Sequence, residues 1–150
     1  MKVKVLFIKM KLSEVIKTFS DYNESFYSQQ IKSSVEPYVM YIIVNKSLPM
    51  KSGKIASQVG HVVQKMTEYC MINEKKIWSY YCSNNYAKIV LKIHDENKLL
   101  LILNQLKHLH KSYAVDEGRT QIEPDSLTAI SFIPMQKKNV PNCLKELKLL

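Results

Sequence analysis

A strand-like run followed by a long helical periodicity constrains the fold of this chain most. Residues 38–44 are rich enough in β-branched and aromatic side chains to form a buried strand. Ser52 is then predicted to cap a helix. Apolar side chains recur at the spacings of one helix face: Ile55, Val59, Val62, Met66 and Tyr69. A strand that leads directly into such a helix favours an α/β fold.

A polar stripe runs along the same predicted helix. Lys54, Gln58, His61 and Lys65 are spaced by four, three and four residues, so their side chains should share one face. The stripe starts at the helix N-terminus, where free N–H groups favour bound anions. It is therefore a candidate wall of a binding site.

The rest of the chain continues the alternation of strands and helices. Strands are predicted over residues 86–93, 113–117 and 127–133, with a helix after Asp95 and a short helix from about residue 140. We therefore predict a single α/β domain with a small, mixed, four-stranded sheet. Helices cover both faces in a three-layer α/β/α arrangement, with at least one right-handed β-α-β crossover.

The composition separates an N-terminal appendage from this domain. Residues 1–36 are rich in Ser, Lys, Tyr and Gln, and the strand-like run begins directly after Pro37. The predicted domain therefore covers residues 37–150. A chain of 150 residues, of which 46% are hydrophobic, is long enough for one core.

Charge and cysteine content indicate the partner and the compartment. The net charge of +9 favours a polyanionic partner, nucleic acid first. The three cysteines form no C-x-x-C pair, which is typical of thiols in a reducing compartment. Lysines interrupt the apolar residues near the N-terminus, and no run approaches the roughly 20 apolar residues that span a bilayer. We expect a cytoplasmic protein that does not bind membranes.

Residues 116–121, which read D-E-G-R-T-Q, form the densest polar cluster of the chain. Arg119 is the only arginine in the whole chain, and a guanidinium can bind a phosphate or carboxylate through two parallel hydrogen bonds. If Asp116 and Thr120 met Lys54 in one cleft, they would form a hydrolytic site. One group would orient water and another would stabilise an oxyanion.

Several of these residues also have simpler interpretations. Lys54 is alternatively a solvated lysine, and His61 is either a general base or a surface histidine. His94, His108 and His110 lack metal-ligand spacing, so no metal site is predicted. The segment at Ser52 lacks the spacing of a phosphate-binding P-loop. The cysteines are expected to be buried thiols rather than nucleophiles.

Two motifs, in order, resemble the type II peptidyl-tRNA hydrolases, the class usual in archaea and eukaryotes. Residues 50–61 read M-K-S-G-K-I-A-S-Q-V-G-H against a family pattern of M-G-K-G-K-[IV]-A-A-Q-x-x-H. Residues 116–124 read D-E-G-R-T-Q-I-E-P against D-A-G-R-T-Q-I-x-P. Trp78, K-I-V-L-K at residues 88–92 and the terminal K-L-L also match, so the resemblance covers residues 38–150.

The resemblance implies hydrolysis of the ester between a peptide and tRNA, without metal or cofactor. It assigns the catalytic roles to Lys54, Asp116 and Thr120. We hypothesise that Lys54 stabilises the oxyanion, that Asp116 orients or deprotonates water, and that Thr120 hydrogen-bonds the water or the substrate. Substrate or tRNA contacts are expected from six further residues: Lys51, Ser52, Gln58, His61, Arg119 and Gln121.

This chain departs from the family pattern in the first loop and beside Asp116. Asn45 replaces a basic residue, Ser47 an acidic one, and Pro49 a lysine, while Lys51 and Ser52 replace Gly-Lys. Glu117 replaces an alanine and is expected to face away from Asp116.

The rival function is a catalytically silent RNA- or protein-binding module with the same fold. The altered loop and the appendage favour this rival, whereas the presence of Lys54, Asp116 and Thr120 favours the enzyme. The role of residues 1–36 stays open, as do the preferred tRNA or peptide and the choice between monomer and homodimer.

Overall fold

The sheet is organised around one buried central strand. The computed structural model describes residues 36–118 and 123–150. The strands are β1 (Tyr38–Asn45), β2 (Lys88–Ile93), β3 (Lys111–Val115), β4 (Leu127–Phe132), β5 (Met135–Gln136) and β6 (Lys148–Leu149). The helices are α1 (Ser52–Asn73), α2 (Lys75–Ser83), α3 (Glu96–Gln105) and α4 (Asn142–Lys145), with a 3-10 turn at Lys137–Asn139.

The strand order is β3-β4-β1-β2-β6, and β5 pairs with β1 outside this path. β1 runs parallel to β2 and antiparallel to β4, with Ile42 opposite Val90 on one side and Ser131 on the other. β3 and β6 pair antiparallel to β4 and β2. Parallel neighbours need a long crossover, and α1 and α2 supply it between β1 and β2.

Alternate side chains of β1 enter two separate cores. Met40 and Ile42 pack with residues of α1 and α2: Val62, Met66, Cys70 and Tyr81. Val39, Tyr41 and Ile43 pack on the opposite face with residues of α3 and α4: Leu99, Ile102 and Leu144. Because both faces of β1 are covered, its sequence reads as an uninterrupted apolar run.

The α/β class and the helices on both faces are confirmed, but the predicted strand count is wrong. Among the described residues the sheet has six strands: the four that were predicted, and β5 and β6 with two residues each. A two-residue strand is too short to produce the alternation by which strands are recognised in a sequence.

Two predicted boundaries also shift, and both changes affect the polar residues. β3 ends at Val115, not at residue 117, so Asp116 lies in the loop after the strand. α1 begins at Ser52 itself, with Lys51 in the capping position and no side-chain cap. Asp95 does cap α3, accepting a hydrogen bond from the N–H of Lys98, as predicted.

The predicted appendage lies outside the described residues except for Glu36. The Glu36 carboxylate accepts a hydrogen bond of 3.2 Å from the backbone N–H of Lys138, within the 3-10 turn. Within residues 36–118 and 123–150, no helix is long and apolar enough to cross a membrane.

Candidate active site

Lys54 and Asp116 contact each other beside the N-terminal end of α1. Lys54 lies in the first turn of α1, and Asp116 follows the last residue of β3. The Lys54 ammonium donates a hydrogen bond to Asp116 Oδ1, although 62 positions separate the two residues in the sequence. The side chains of Lys54 and Asp116 are 15% and 4% exposed. The predicted convergence of this lysine and this carboxylate is present in the structure.

The loop after β3 holds the Asp116 carboxylate in place. Its second oxygen, Oδ2, accepts a 3.0 Å hydrogen bond from the N–H of Gly118. The Asp116 backbone donates to Ser126 O at 3.0 Å and accepts from the N–H of Asp125 at 2.8 Å. Both the side chain and the main chain of Asp116 are therefore fixed.

Gly118 is required by the geometry of this loop. Its φ is +74°, a left-handed conformation that favours glycine. A Cβ at this position would lie 2.6 Å from Cγ of Pro124. The close approach of Pro124 and the bond to Asp116 thus both depend on the absence of a side chain.

The environment of Asp116 favours its ionised form. The hydrogen bond from the Lys54 ammonium holds the pKa of the Asp116 carboxyl below its ordinary value. Burial opposes this shift, and the N–H of Gly118 adds to the lowering. Near neutral pH the Asp116 carboxyl group is therefore ionised where it contacts Lys54.

These two groups form part of the wall of an open cavity of about 470 Å³. The described lining residues come from α1 and from the end of β3: Lys54, Ser57, Gln58, His61, Lys65, Ala114, Val115, Asp116 and Glu117. All four members of the predicted polar stripe line this cavity. Ser57, three positions after Lys54, was missed as a site residue although helical spacing places it on the same face.

Glu117 lines the same cavity as Asp116, so the expectation that it faces away is wrong. The alternation argument failed because β3 ends at Val115, before either acidic residue. Glu117 is exposed, and it is the second acidic residue among the described residues that line the cavity.

Two buried hydroxyls of β4 connect the sheet to α1. Thr128 Oγ1 lies 2.7 Å from Gln58 Oε1 and 3.0 Å from the carbonyl oxygen of Ala114. Ser131 Oγ donates to the carbonyl oxygen of Val62 at 3.0 Å. Gln58 is only 6% exposed, so its amide also has a structural partner at the cavity wall. Thr128 carried no sequence signal, since its position depends on the pairing of β3 with β4.

The other predicted contact residues are distributed differently. Lys51 and Ser52 are exposed and are not among the described residues that line this cavity. Arg119, Thr120 and Gln121 lie outside the described residues.

The departures in the first loop form a neutral hydrogen-bonded unit. Asn45 is 1% exposed, and its Nδ2 donates to Leu127 O at 3.0 Å. Its Oδ1 accepts from the backbone N–H of Ser47 at 3.1 Å and from the Ser47 hydroxyl. Asn45 and Ser47 thus connect the end of β1 to β4 without a buried charge, and Pro49 is exposed beyond them.

None of the three cysteines, all among the described residues, forms a disulfide, and burial raises the pKa of each. For Cys70 the pKa rises to about 11, so this thiol is protonated at neutral pH and is a poor nucleophile. Among the described residues, no group of three or more His, Cys, Asp or Glu side chains could hold a metal ion.

The arrangement suits addition of water to a carbonyl group. An ammonium can stabilise charge that develops on the carbonyl oxygen, and an adjacent carboxylate can accept a hydrogen bond from water. The open cavity leaves room for both a substrate carbonyl and the attacking water.

Comparisons with known proteins agree on one family. The family model described as "Peptidyl-tRNA hydrolase PTH2" matches residues 38–150. The chain is 33% identical over 115 residues to a peptidyl-tRNA hydrolase of Methanococcus maripaludis, and the match covers 75% of this chain and 99% of the relative. A peptidyl-tRNA hydrolase of Sulfolobus acidocaldarius is 32% identical over 118 residues, 74% of this chain and 98% of the relative. The mouse protein "Peptidyl-tRNA hydrolase 2, mitochondrial" is 33% identical over 117 residues, 75% of this chain and 63% of the relative.

Proposed function

The chain belongs to the peptidyl-tRNA hydrolase PTH2 family, and we propose that its Lys54–Asp116 pair hydrolyses the ester between a peptide and tRNA. The same reaction would release an N-blocked amino acid from tRNA. The observation that carries the proposal is the contact between the Lys54 ammonium and the Asp116 carboxylate at the wall of an open cavity.

Asp116 acts mainly by orienting the attacking water. A carboxyl group with a lowered pKa is ionised at neutral pH but is a weak proton acceptor. Its oxygens retain lone pairs beyond those used by Lys54 and Gly118, so water can still donate to them. Of the two roles considered for Asp116, this environment favours orientation over deprotonation.

Lys54 stabilises the negative charge that develops on the ester carbonyl oxygen. Its ammonium is held at the cavity wall by Asp116 and is compact enough to donate to a second acceptor. Such electrostatic stabilisation is typically worth a factor of about 100 to 1,000 in turnover.

The remaining predicted residues contribute binding. Thr120 is proposed to hydrogen-bond the water or the substrate, and Arg119, Gln121 and His61 to contact the substrate. Lys51 and Ser52, outside the described cavity lining, would instead contact the tRNA backbone. The net charge of +9 supports a polyanionic substrate.

The chemistry proposed here needs only side chains of the protein, without a metal or cofactor. A cytoplasmic location is part of the proposal, and three cysteines that form no disulfide are consistent with a reducing compartment.

Incubation of purified protein with an N-blocked aminoacyl-tRNA tests the function directly. We expect catalytic release of the blocked amino acid and free tRNA. Binding of tRNA without turnover would favour the silent RNA-binding module instead. The paired Lys54 and Asp116 argue against that module, which has no need of this arrangement.

A further inference from the structure

A second cavity lies on the other side of α1. It measures about 580 Å³ and opens toward β2, whereas the Lys54–Asp116 cavity opens toward β3. We call it the β2-side groove. Its apolar part is formed by Ile55, Ala56, Val59 and Val90, and its basic part by Lys46, Lys92 and His94.

The sheet order explains why this groove is open. β1 and β4 lie between β2 and β3, and α1 packs against β4 and β3 more than against β2. The face of β2 beside α1 is therefore left partly uncovered, and Val90 and Val59 remain half-buried there. The β6 strand next to β2 has only two residues and extends the sheet little.

The two lysines and the histidine of the groove have no ion pair within the described residues. Lys46 and Lys92 are half-buried and make no ion pair or side-chain hydrogen bond in that part of the chain, and the same holds for the exposed His94. No Asp or Glu is among the described lining residues, and the terminal residue Leu150 also lines the groove, where its N–H donates to the carbonyl oxygen of Val90. Asp95 lies beside His94, but its carboxylate caps α3. The groove thus combines an apolar surface with unpaired positive charge.

We propose that the β2-side groove binds the single-stranded 3′ end of the tRNA. This inference rests on the proposed function, and it concerns the nucleotides that precede the one carrying the ester. Bases present flat apolar faces that can cover Ile55, Ala56 and Val90, while their phosphates can pair with Lys46 and Lys92.

The position of the groove favours RNA over the peptide. Only α1, about 10–12 Å across with its side chains, separates the groove from the Lys54–Asp116 cavity. A strand whose terminal ribose lies at Lys54 can therefore pass the first turns of α1 and enter the groove. A peptide of arbitrary sequence carries no regular negative charge to match two lysines, whereas every nucleotide linkage does.

Binding measurements with two RNAs test this inference. The RNAs are an uncharged tRNA and the same tRNA lacking its three 3′-terminal nucleotides. The test variant is Lys46→Gln with Lys92→Gln. The matched control, Lys107→Gln with Lys137→Gln, removes the same charge from two exposed lysines outside the groove. Ala56→Glu places a carboxylate in the groove at an exposed helix position, with Ala56→Gln as its neutral control.

We expect wild type to bind intact tRNA at least tenfold more tightly than truncated tRNA. The Lys46/Lys92 double variant and Ala56→Glu should bind the two RNAs nearly alike, and both control variants should keep the preference. The salt dependence of intact-tRNA binding should weaken by about 1.4 in log–log slope in the double variant, because each single-strand phosphate contact contributes about 0.7.

Three results would overturn this assignment. The first is an unchanged preference for intact tRNA in the double variant and Ala56→Glu. The second is an equal loss of affinity for both RNAs, which would place duplex phosphates in the groove. The third is a wild-type dimer, seen by sedimentation, that Ala56→Glu dissociates, since a second copy would then cover the groove. Because these measurements need no turnover, failure of ester hydrolysis with a retained 3′-end preference would reject the proposed catalysis alone.

Discussion

Lys54 and Asp116 are joined by a hydrogen bond between the first turn of α1 and the loop that follows β3. β4 brings them together, because it pairs with β3 and its two buried hydroxyls bond to α1. The proposed catalytic pair therefore depends on the placement of a helix against a strand hairpin. This dependence has consequences that can be measured.

The pairing should make the stability of the fold depend on pH through Asp116. Folding lowers the pKa of Asp116 from its ordinary value of 3.8. Ionised Asp116 therefore stabilises the fold fully above the unfolded pKa, and this stabilisation is lost as the pH falls through the folded pKa. Melting temperatures between pH 7 and pH 3 should show this component in wild type and not in Asp116→Asn. Asp125→Asn is the control. The Asp125 side chain is exposed, and its backbone φ of 62° is one that asparagine tolerates. Equal acid sensitivity of wild type and Asp116→Asn would contradict the assignment.

Thr128 should position the catalytic helix. Thr128→Val keeps the shape but removes the hydroxyl that bonds to Gln58, so we expect a loss of about 1–3 kcal/mol in stability and a roughly tenfold lower kcat with little change in KM. Thr128→Ser should restore kcat. Ser131→Ala, which removes the contact at Val62 two turns beyond Lys54, should lower stability while sparing kcat. Equal kcat losses in Thr128→Val and Ser131→Ala would indicate a general effect on folding.

Gly118 should be sensitive to the smallest added side chain. In Gly118→Ala the new Cβ would be strained by the left-handed backbone and would clash with Pro124. We expect the free energy of unfolding to fall by at least about 1–2 kcal/mol and the hydrogen bond from the N–H of residue 118 to Asp116 to weaken. We expect lower stability in urea and lower kcat. Gly60→Ala in α1 has no atom within 4 Å of the new Cβ and should stabilise the protein by up to about 1 kcal/mol. A fully active and stable Gly118→Ala would show that the loop does not need glycine.

Glu117 should weaken the binding of a polyanionic substrate. This exposed acidic residue lines the Lys54–Asp116 cavity. We expect Glu117→Ala to lower KM for peptidyl-tRNA several-fold at low salt and less at high salt, because screening reduces the repulsion. Steady-state kinetics at two salt concentrations measure this effect. An increase in KM would instead assign Glu117 a favourable contact with the substrate.

The sequence predicted the parts of this molecule that follow from local periodicity. The apolar run of β1, the helical spacing of α1 and its polar stripe each depend on neighbouring residues, and all appear in the structure. The meeting of Lys54 with Asp116 was expected because both follow strand ends, where ligand sites in open α/β sheets lie.

Features that depend on strand pairing could not be predicted in this way. The bond between Thr128 and Gln58 requires the register of β3 on β4, which no local pattern specifies. The orientation of Glu117 was misjudged because β3 ends two residues early. The two lysines of the β2-side groove lie in separate segments, at positions 46 and 92, and the parallel pairing of β1 with β2 brings them together.

Turnover of an N-blocked aminoacyl-tRNA by Lys54→Ala and Asp116→Ala tests the central claim most directly. Each variant should lose about a hundredfold or more in kcat, since each removes a group that acts on the carbonyl or on the water. Lys107→Ala, which removes an exposed lysine outside the cavity, should remain near wild type. Near-wild-type ester cleavage by both Lys54→Ala and Asp116→Ala would contradict the assignment of this pair as the catalytic centre.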